Sequence, residues 1–405
     1  MTENFKKLLC IFGAAVFGRE YEPGQDIEIG KIYELAVQQG IWQTVYLALH
    51  KKYDLKKYEA GFLQSVSKNI ERTYFTNSMV ELLRKEGVDS CYIKGISVAR
   101  FYKNPECRIS GDTDILISAK DVQKAKEFLK LHGFEVEGDN GNMYHFEARH
   151  PKAGILEVHT GLYQRHYEEL VFKGLTKYNE PWIKVKTSDF AIKTMGINDG
   201  LNHLTAHYAK HFISRGAGLR QLMDLLLYMQ YYKNDIDWEK YKRLWNEIGL
   251  YNLIKTAKGV GVRYWDMEFD DYSEACTEEF LSDVEEGGVF GYDNEHNKDF
   301  LNVFLTEREK NNIASYKKYM KKNVVRGTFA VRLFPNSFMM VKRGYKYAAR
   351  GGVFLAFSWL HRFTDMTWAI IRGRKKIKNM VDFEENYAED NTKERLELMK
   401  DMGIL

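Results

Sequence analysis

The stretch Ser110-Gly111-Asp112-Thr113-Asp114-Ile115-Leu116-Ile117 places two acids one residue apart at the start of an apolar strand, directly after a glycine. In extended backbone alternate side chains point the same way, so Asp112 and Asp114 share a face while Thr113 points to the other. Carboxylates placed like this repel unless a cation lies between them, which makes a divalent-metal site the chemistry this spacing serves. The plain alternative is a solvated turn before an ordinary strand, and Asp-x-Asp alone is too short a pattern to exclude it.

The flanking sequence narrows the choice. Upstream, Cys91-Tyr92-Ile93-Lys94-Gly95 is a short apolar strand ending in glycine, and Ile96-Ser97-Val98-Ala99-Arg100-Phe101-Tyr102 reads as the start of a helix. A strand–glycine–helix turn gathers free backbone N–H groups beside a helix N-terminus, and both favour phosphate. Downstream, Gly154-Ile155-Leu156-Glu157-Val158-His159 is a second apolar strand with a single acid, which supplies a third carboxylate.

In this order the three pieces resemble the polymerase-β-like nucleotidyltransferase superfamily: a strand–Gly-Ser–helix turn, an Asp-x-Asp strand, and a later strand carrying one acid. More closely, they resemble an uncharacterised bacterial nucleotidyltransferase-like family with Lys-Gly, Arg-x-x-Gly-Asp-x-Asp and Glu-x-His, matched here by Lys94-Gly95, Arg108 to Asp114, and Glu157-Val158-His159. The likeness extends through His203, His207, His211, Arg220 and Asp224 to Leu333-Phe334-Pro335 and Trp359-Leu360-His361-Arg362. One departure is that the superfamily's Gly-Ser is here Gly95-Ile96-Ser97.

The resemblance implies an α+β protein whose small mixed sheet, the nucleotidyltransferase core, is flanked by helical N- and C-terminal regions. It implies Mg²⁺-dependent transfer of a nucleotidyl group from an NTP such as ATP to a hydroxyl or phosphate acceptor, in bacterial settings such as surface-polysaccharide metabolism. Asp112, Asp114 and Glu157 would be the catalytic and metal-binding acids, holding two Mg²⁺ ions roughly 3.5–4 Å apart, with Glu157 as ligand or base. Lys94, Gly95, Ser97 and Arg108 would contact the nucleotide, because phosphoryl-type transfer depends mostly on positioning and charge neutralisation. Two rival readings are a toxin-like enzyme that modifies RNA or protein, and a non-catalytic protein on the same fold that docks to a membrane or partner.

The chain has 405 residues, 44% of them hydrophobic and only five of them proline, enough to bury a large core rich in helix. Cys10, Cys91, Cys107 and Cys276 show no Cys-x-x-Cys spacing, which argues against a zinc ribbon or a disulfide framework and points to the cytoplasm. Lys6-Lys7 followed by an apolar run has the outline of a secretory signal, but Glu3 precedes it and Arg19-Glu20 follow, so it reads as a first core helix.

Four segments are expected. Residues 1–87 form an N-terminal helical region, with one helix running from Ile32 through Trp42 to Leu49 and another from about Leu55 to Lys85. Residues 88–188 form the nucleotidyltransferase-like core, with strands at 90–94, 113–118, 134–138, 143–149, 154–159 and 182–186 and a helix from Lys120 to His132. Residues 189–310 are a helical domain whose first helix carries His203, His207 and His211 on one face. Zinc binding there lacks an acidic third ligand, which leaves lining of the nucleotide cleft or ordinary packing. Arg220 and Asp224, four apart, are expected to pair.

Residues 311–405 are basic and aromatic-rich: between Lys317 and Lys378 there are sixteen Lys/Arg and one acid, Asp365, although the whole chain is only +4. This texture suits an anionic membrane surface, which would place the protein peripherally at the inner membrane face, or RNA; a basic lobe folded against an acidic body is the bland reading. Asp382 to Asp401 reads as a solvated helix ending at Gly403.

Overall fold

The computed structural model describes residues 1–21, 27–136, 144–162, 172, 175, 180–289, 291, 345–350, 352–371 and 390–405. The sheet comprises β1 (Ser90–Tyr92), β2 (Asp112–Ile117), β3 (Glu135–Val136), β4 (His145–His150), β5 (Gly154–His159), β6 (Ile183–Lys186) and β7 (Ala191–Thr194). Its order is β3-β4-β5-β2-β1-β7-β6; β2 runs parallel to β5 and β1 to β7, and the other pairings are antiparallel. Among the described residues thirteen α-helices accompany these strands, so the architecture is α+β. Strand β7 was not expected, because four residues abutting a helix carry too little periodicity to stand out.

The two faces of the sheet differ in chemistry. On one, Tyr92, Ile115, Ile117, Ala148, Leu156, Val158 and Ile192 pack with Val80 and Leu83 of α4 (Lys56–Lys85) and with Ala125, Phe128 and Leu129. The last three belong to α6 (Val122–Leu131), which follows the single-turn α5 (Ile96–Ala99) and β2. The other face holds Asp112, Asp114, Glu157 and His159. Because β2 and β5 pair in parallel with Asp114 opposite Glu157 and Leu116 opposite His159, these side chains must share a side.

Around this sheet the N-terminal region forms α1 (Glu3–Phe17), α2 (Ile29–Gln38), α3 (Trp42–Leu49) and α4. The single helix expected over 32–49 is broken into α2 and α3, because Gly40 takes a left-handed φ of 65° that ends the first and turns the chain. Helix α1 is a core helix with Phe5, Leu8, Leu9, Ile11 and Phe12 buried, and Trp265 lies where a Cβ on Gly13 would be. After the sheet come α7 (Ile197–Arg215), α8 (Leu219–Tyr231), α9 (Trp238–Ile248), α10 (Tyr251–Trp265) and α11 (Thr277–Gly287).

The chain divides into two compact units, Met1–Leu301 with Leu398–Ile404, and Asn302–Glu397 with Leu405. Helix α12 (Gly352–Ile371) belongs to the second, and α13 (Asp390–Asp401) runs from the second into the first. The expected solvated end is corrected: Leu398, Met399, Met402 and Ile404 are buried, so the chain closes on an apolar anchor. Residues 301–344 and 372–389, with most of the basic region's cations and Leu333-Phe334-Pro335, lie outside the described residues. Among the described residues no helix is long and apolar enough to cross a membrane.

Candidate active site

Strand β2 is central, so the side chains near its start are carried into the interior rather than left in solvent. Asp114 is 1% exposed. Its Oδ1 accepts from Lys94 Nζ at 3.0 Å and lies 3.0 Å from His159 Nε2, while its Oδ2 is buried with no hydrogen-bond partner. Glu157, opposite Asp114 in the parallel register, brings its Oε2 to 3.3 Å from the same imidazole nitrogen. A nitrogen facing two carboxylate oxygens carries the proton, so His159 Nε2 is the donor in this arrangement.

The electrostatics follow from this packing. Burial alone would raise the Asp114 carboxyl, but the Lys94 ammonium and the His159 hydrogen bond override it and hold the group well below the usual carboxylate range. Burial likewise opposes charge on Lys94, and Asp114, Asp112 and Glu157 together outweigh it and raise its pKa. His159 is also raised, against its burial, by its bonds to Asp114 and Glu157. Lys94 is thus a protein-supplied cation held among the three acids that the sequence marks for metal.

The ligand atoms of Asp114, Glu157 and His159 lie within 4.8 Å of one another, and those of His145, Glu147 and Glu157 form a second such group that shares Glu157. The fit to a divalent cation is good at Asp114, whose buried, unpartnered oxygen is a position a metal would satisfy. The imidazole in the set widens the choice beyond oxygen-seeking ions.

Asp112 sits one pleat away on the same face, but it is not part of either group. Its Oδ1 accepts from Ser110 Oγ at 3.2 Å, and its side chain lines a cavity of about 640 Å³ that Asp114, Glu157, His159 and Lys94 do not line. Asp112 thus borders the cavity while also facing Lys94, whose other acid partner Asp114 does not line it.

The remaining expected residues separate. Gly95 turns the chain at φ 65° with open space where a Cβ would stand, so a ligand can approach its backbone closely. The helix after it is a single turn, Ile96–Ala99, so the dipole expected to favour phosphate is short. Ser97 is buried within that turn and does not line the cavity. Arg108 lines the cavity, and its guanidinium makes a two-pronged pair with buried Asp224, which Tyr102 also joins through its hydroxyl at 2.8 Å.

That pair corrects the expected partnership of Arg220 with Asp224. Arg220 instead donates to the Ile109 carbonyl at 2.6 Å, because the chain entering β2 crosses α8 and puts Arg108 closer to the acid than a residue one turn away on the same helix.

Helix α7 brings His203 and His207 to the acidic face. Burial, then the charge of Lys94, pushes His203 down to about 3 and His207 well below its ordinary value, so both are neutral at the edge of a cationic lysine.

Two further residues were not anticipated as site residues. His159 was noted only as part of a motif, yet it sits between the two acids. Arg72 of α4 lines the cavity beside Asp112, donates only to Asn69 Oδ1 and makes no ion pair among the described residues. A signal for it existed: Asn69, Arg72 and Thr76 make a polar stripe at i, i+3 and i+7 of a long helix.

With this geometry in view, comparison of sequences decides the family. The profile of the uncharacterised nucleotidyltransferases matches residues 25–257, more than half the chain. The chain belongs to this uncharacterised nucleotidyltransferase family. The matched segment contains the whole sheet and α7 to α9, so the family's nucleotidyl transfer belongs to the unit that carries Asp112, Asp114 and Glu157. No curated protein matches the chain.

Among solved structures, a lincosamide antibiotic adenylyltransferase, LnuA, bound to lincomycin, is similar at 16% identity, over 39% of this chain and 94% of its own, with a TM-score of 0.29. A tRNA nucleotidyltransferase complexed with a primer tRNA and an incoming ATP analog is similar at 14% identity, over 73% and 98%, with a TM-score of 0.20. Family membership, and not these superpositions, carries the functional reading.

Proposed function

We propose that this nucleotidyltransferase takes an NTP such as ATP, with Mg²⁺, and passes its nucleotidyl group to a hydroxyl or phosphate acceptor at the acidic face of β2 and β5. The observation that carries the reading is the buried Asp114, in register with Glu157, with an ammonium held where the acids converge and one oxygen left without a partner. Asp114 and Glu157, joined by His159 once its Nε2 proton is lost, would hold a divalent cation, and Asp112 would face the acceptor. When bound, the cation neutralises triphosphate charge and favours the nucleophilic form of the acceptor.

The acceptor oxygen attacks the α-phosphorus, the new P–O bond forms, the bond from Pα to the bridging oxygen breaks, and pyrophosphate leaves with that electron pair. For a hydroxyl acceptor, the Asp112 carboxylate would take the proton. Lys94, freed from Asp114, is in reach of phosphate oxygens approaching over Gly95. The neutral imidazoles of His203 and His207 would hydrogen-bond a nucleotide without placing further positive charge beside Lys94. The test is thermal unfolding with each NTP, with and without Mg²⁺. A nucleotide at 100 times its Kd adds about 2.7 kcal/mol of stability, and no Mg²⁺-dependent stabilisation by any NTP would defeat the reading.

A second reading concerns the C-terminal unit. Helix α12 exposes Val353, Phe354, Phe357 and Leu360 along one side, and five Lys/Arg follow it between Arg372 and Lys378. This combination supports peripheral attachment to an anionic membrane surface. Flotation with phosphatidylserine vesicles at low and high salt tests it. Retention of RNA with no vesicle binding would replace the membrane with nucleic acid.

A further inference from the structure

The cavity beside Asp112 is bounded by α4, the chain leading into β2 and the turn between β6 and β7. One part is apolar, walled by Leu47, Phe62, Val66 and Ile70; the part toward β2 is polar, with Arg72, Thr76, Ser110 and Asp112. Its volume, about 640 Å³, is within the usual range for small-molecule sites.

Two groups on its polar wall lack what a folded chain normally supplies. The Arg72 guanidinium is half-buried with one amide oxygen as its hydrogen-bond partner; the Asp112 carboxylate attracts it from beyond ion-pair distance, and no carboxylate pairs with it among the described residues. Thr76, 2% exposed, has a hydroxyl with no partner. A desolvated cation needs an anion, and an unpaired buried hydroxyl needs a donor or acceptor. The missing ligand therefore carries a negative charge, and it carries it next to the acid that faces the acceptor.

We propose that this cavity is the acceptor pocket and that the acceptor is an organic phosphate monoester with an apolar body, its phosphate on Arg72 and Thr76 and its body against Phe62 and Val66. The proposal rests on the transferase reading above and chooses between its two acceptor classes. A neutral hydroxyl compound would leave the half-buried Arg72 with no bonded counter-ion, whereas a phosphate pairs with it and is itself the nucleophile.

In the reaction, a phosphate oxygen of the acceptor attacks the α-phosphorus of the NTP. A P–O–P linkage forms, the bond from Pα to the bridging oxygen breaks, and pyrophosphate departs with the electrons. A phosphate monoester is mostly dianionic at neutral pH, with a second pKa of about 6, so the dianion attacks without a base. The division of the motif then has a use: Asp114 lies with the metal-type ligands and Asp112 lies on the wall of the acceptor cavity.

The experiment is calorimetric titration of the full-length protein with hexyl phosphate, without nucleotide, beside hexyl glucoside and inorganic phosphate. Hexyl phosphate is expected to bind at least tenfold tighter than either control, Arg72→Gln to weaken it at least tenfold, and Arg72→Lys to restore part of the loss. Val66→Trp, which fills the apolar part, should abolish hexyl phosphate binding while the affinity for Mg·ATP stays unchanged. Equal binding by wild type and Arg72→Gln overturns the proposal, as does equal binding of hexyl glucoside. Competitive displacement of hexyl phosphate by Mg·ATP also overturns it, since the cavity would then be the nucleotide's. The Mg·ATP titration is a separate arm, whose failure strikes the transferase reading, whereas failure of the hexyl phosphate arm strikes the acceptor assignment alone.

Discussion

Asp112 and Asp114 are the same residue type on the same face of the same strand, yet one is the most constrained acid of the site and the other lines an open cavity. Asp114 is buried between Lys94 and His159 and shares its register with Glu157. Asp112, one pleat nearer the strand start, is held by Ser110 and looks out beside Arg72. The difference teaches that the roles of paired carboxylates come from the cations their neighbours supply. Lys94 is bonded to Asp114, whereas Arg72 lies near Asp112 without an ion pair.

The sharpest way to break this comparison is to neutralise each acid in turn. Asp114→Asn should lower nucleotidyl transfer by about 10³-fold, the order seen when one essential charge-stabilising group is lost. Measured by urea unfolding in EDTA, it should also cost about 3 kcal/mol, because Lys94 keeps a largely buried charge without its carboxylate. Asp112→Asn should lower turnover too but cost less than about 1 kcal/mol, since no ion pair is broken. Equal stability losses would erase the distinction between the two positions.

Next in size is a change on the opposite face. Ile115 lies between the two acids' register and the apolar core, so Ile115→Ala should cost about 2–5 kcal/mol by leaving a cavity under α4 and α6. Mn²⁺ affinity, followed by electron paramagnetic resonance, should stay within about twofold as long as the protein is folded. A large loss of affinity would mean that the two faces are mechanically one site.

A smaller effect tests the pairing itself. Lys94→Met and Asp114→Asn, singly and together, should show a coupling of about 1–3 kcal/mol in the metal-free protein. Additive effects would mean that Lys94 and Asp114 are neighbours without mutual stabilisation.

The smallest effect is in pH. The folded pKa of His203, about 3, lies below its ordinary 6.5, so between these values the unfolded chain binds more protons than the folded one. Stability in EDTA should therefore be full above pH 6.5 and fall as pH drops below it, by at most about 1.4 kcal/mol per pH unit for one group. His203→Gln should flatten part of that slope, and an unchanged slope would show that the imidazole is not held neutral against Lys94.

How far the chain could be read without its fold varies from residue to residue. Asp112 and Asp114 were legible as a same-face pair because the geometry is local: a strand repeats every two residues wherever it lies. The long helix α4 and the strands holding Asp114 and Glu157 were legible for the same reason, through periodicity and flanking glycines. Arg108 shows the limit. Its position beside the motif marks it for phosphate, and it does border the cavity beside Asp112, but its pairing with Asp224 depends on the path of the chain over α8 and was not legible.

Sequence by itself thus determined which acids share a strand face, that a third lies on another strand, and that the region after residue 316 is strongly basic, since each depends only on near neighbours or composition. Tertiary structure alone decided that β5 lies beside β2 in parallel with Glu157 opposite Asp114, that Lys94 bonds one acid and not the other, and that Arg72 reaches the cavity from a helix 40 residues earlier than Asp112. Register, burial and ion pairing between distant segments are properties of packing: they depend on which surfaces exclude water together, and no spacing along the chain encodes that.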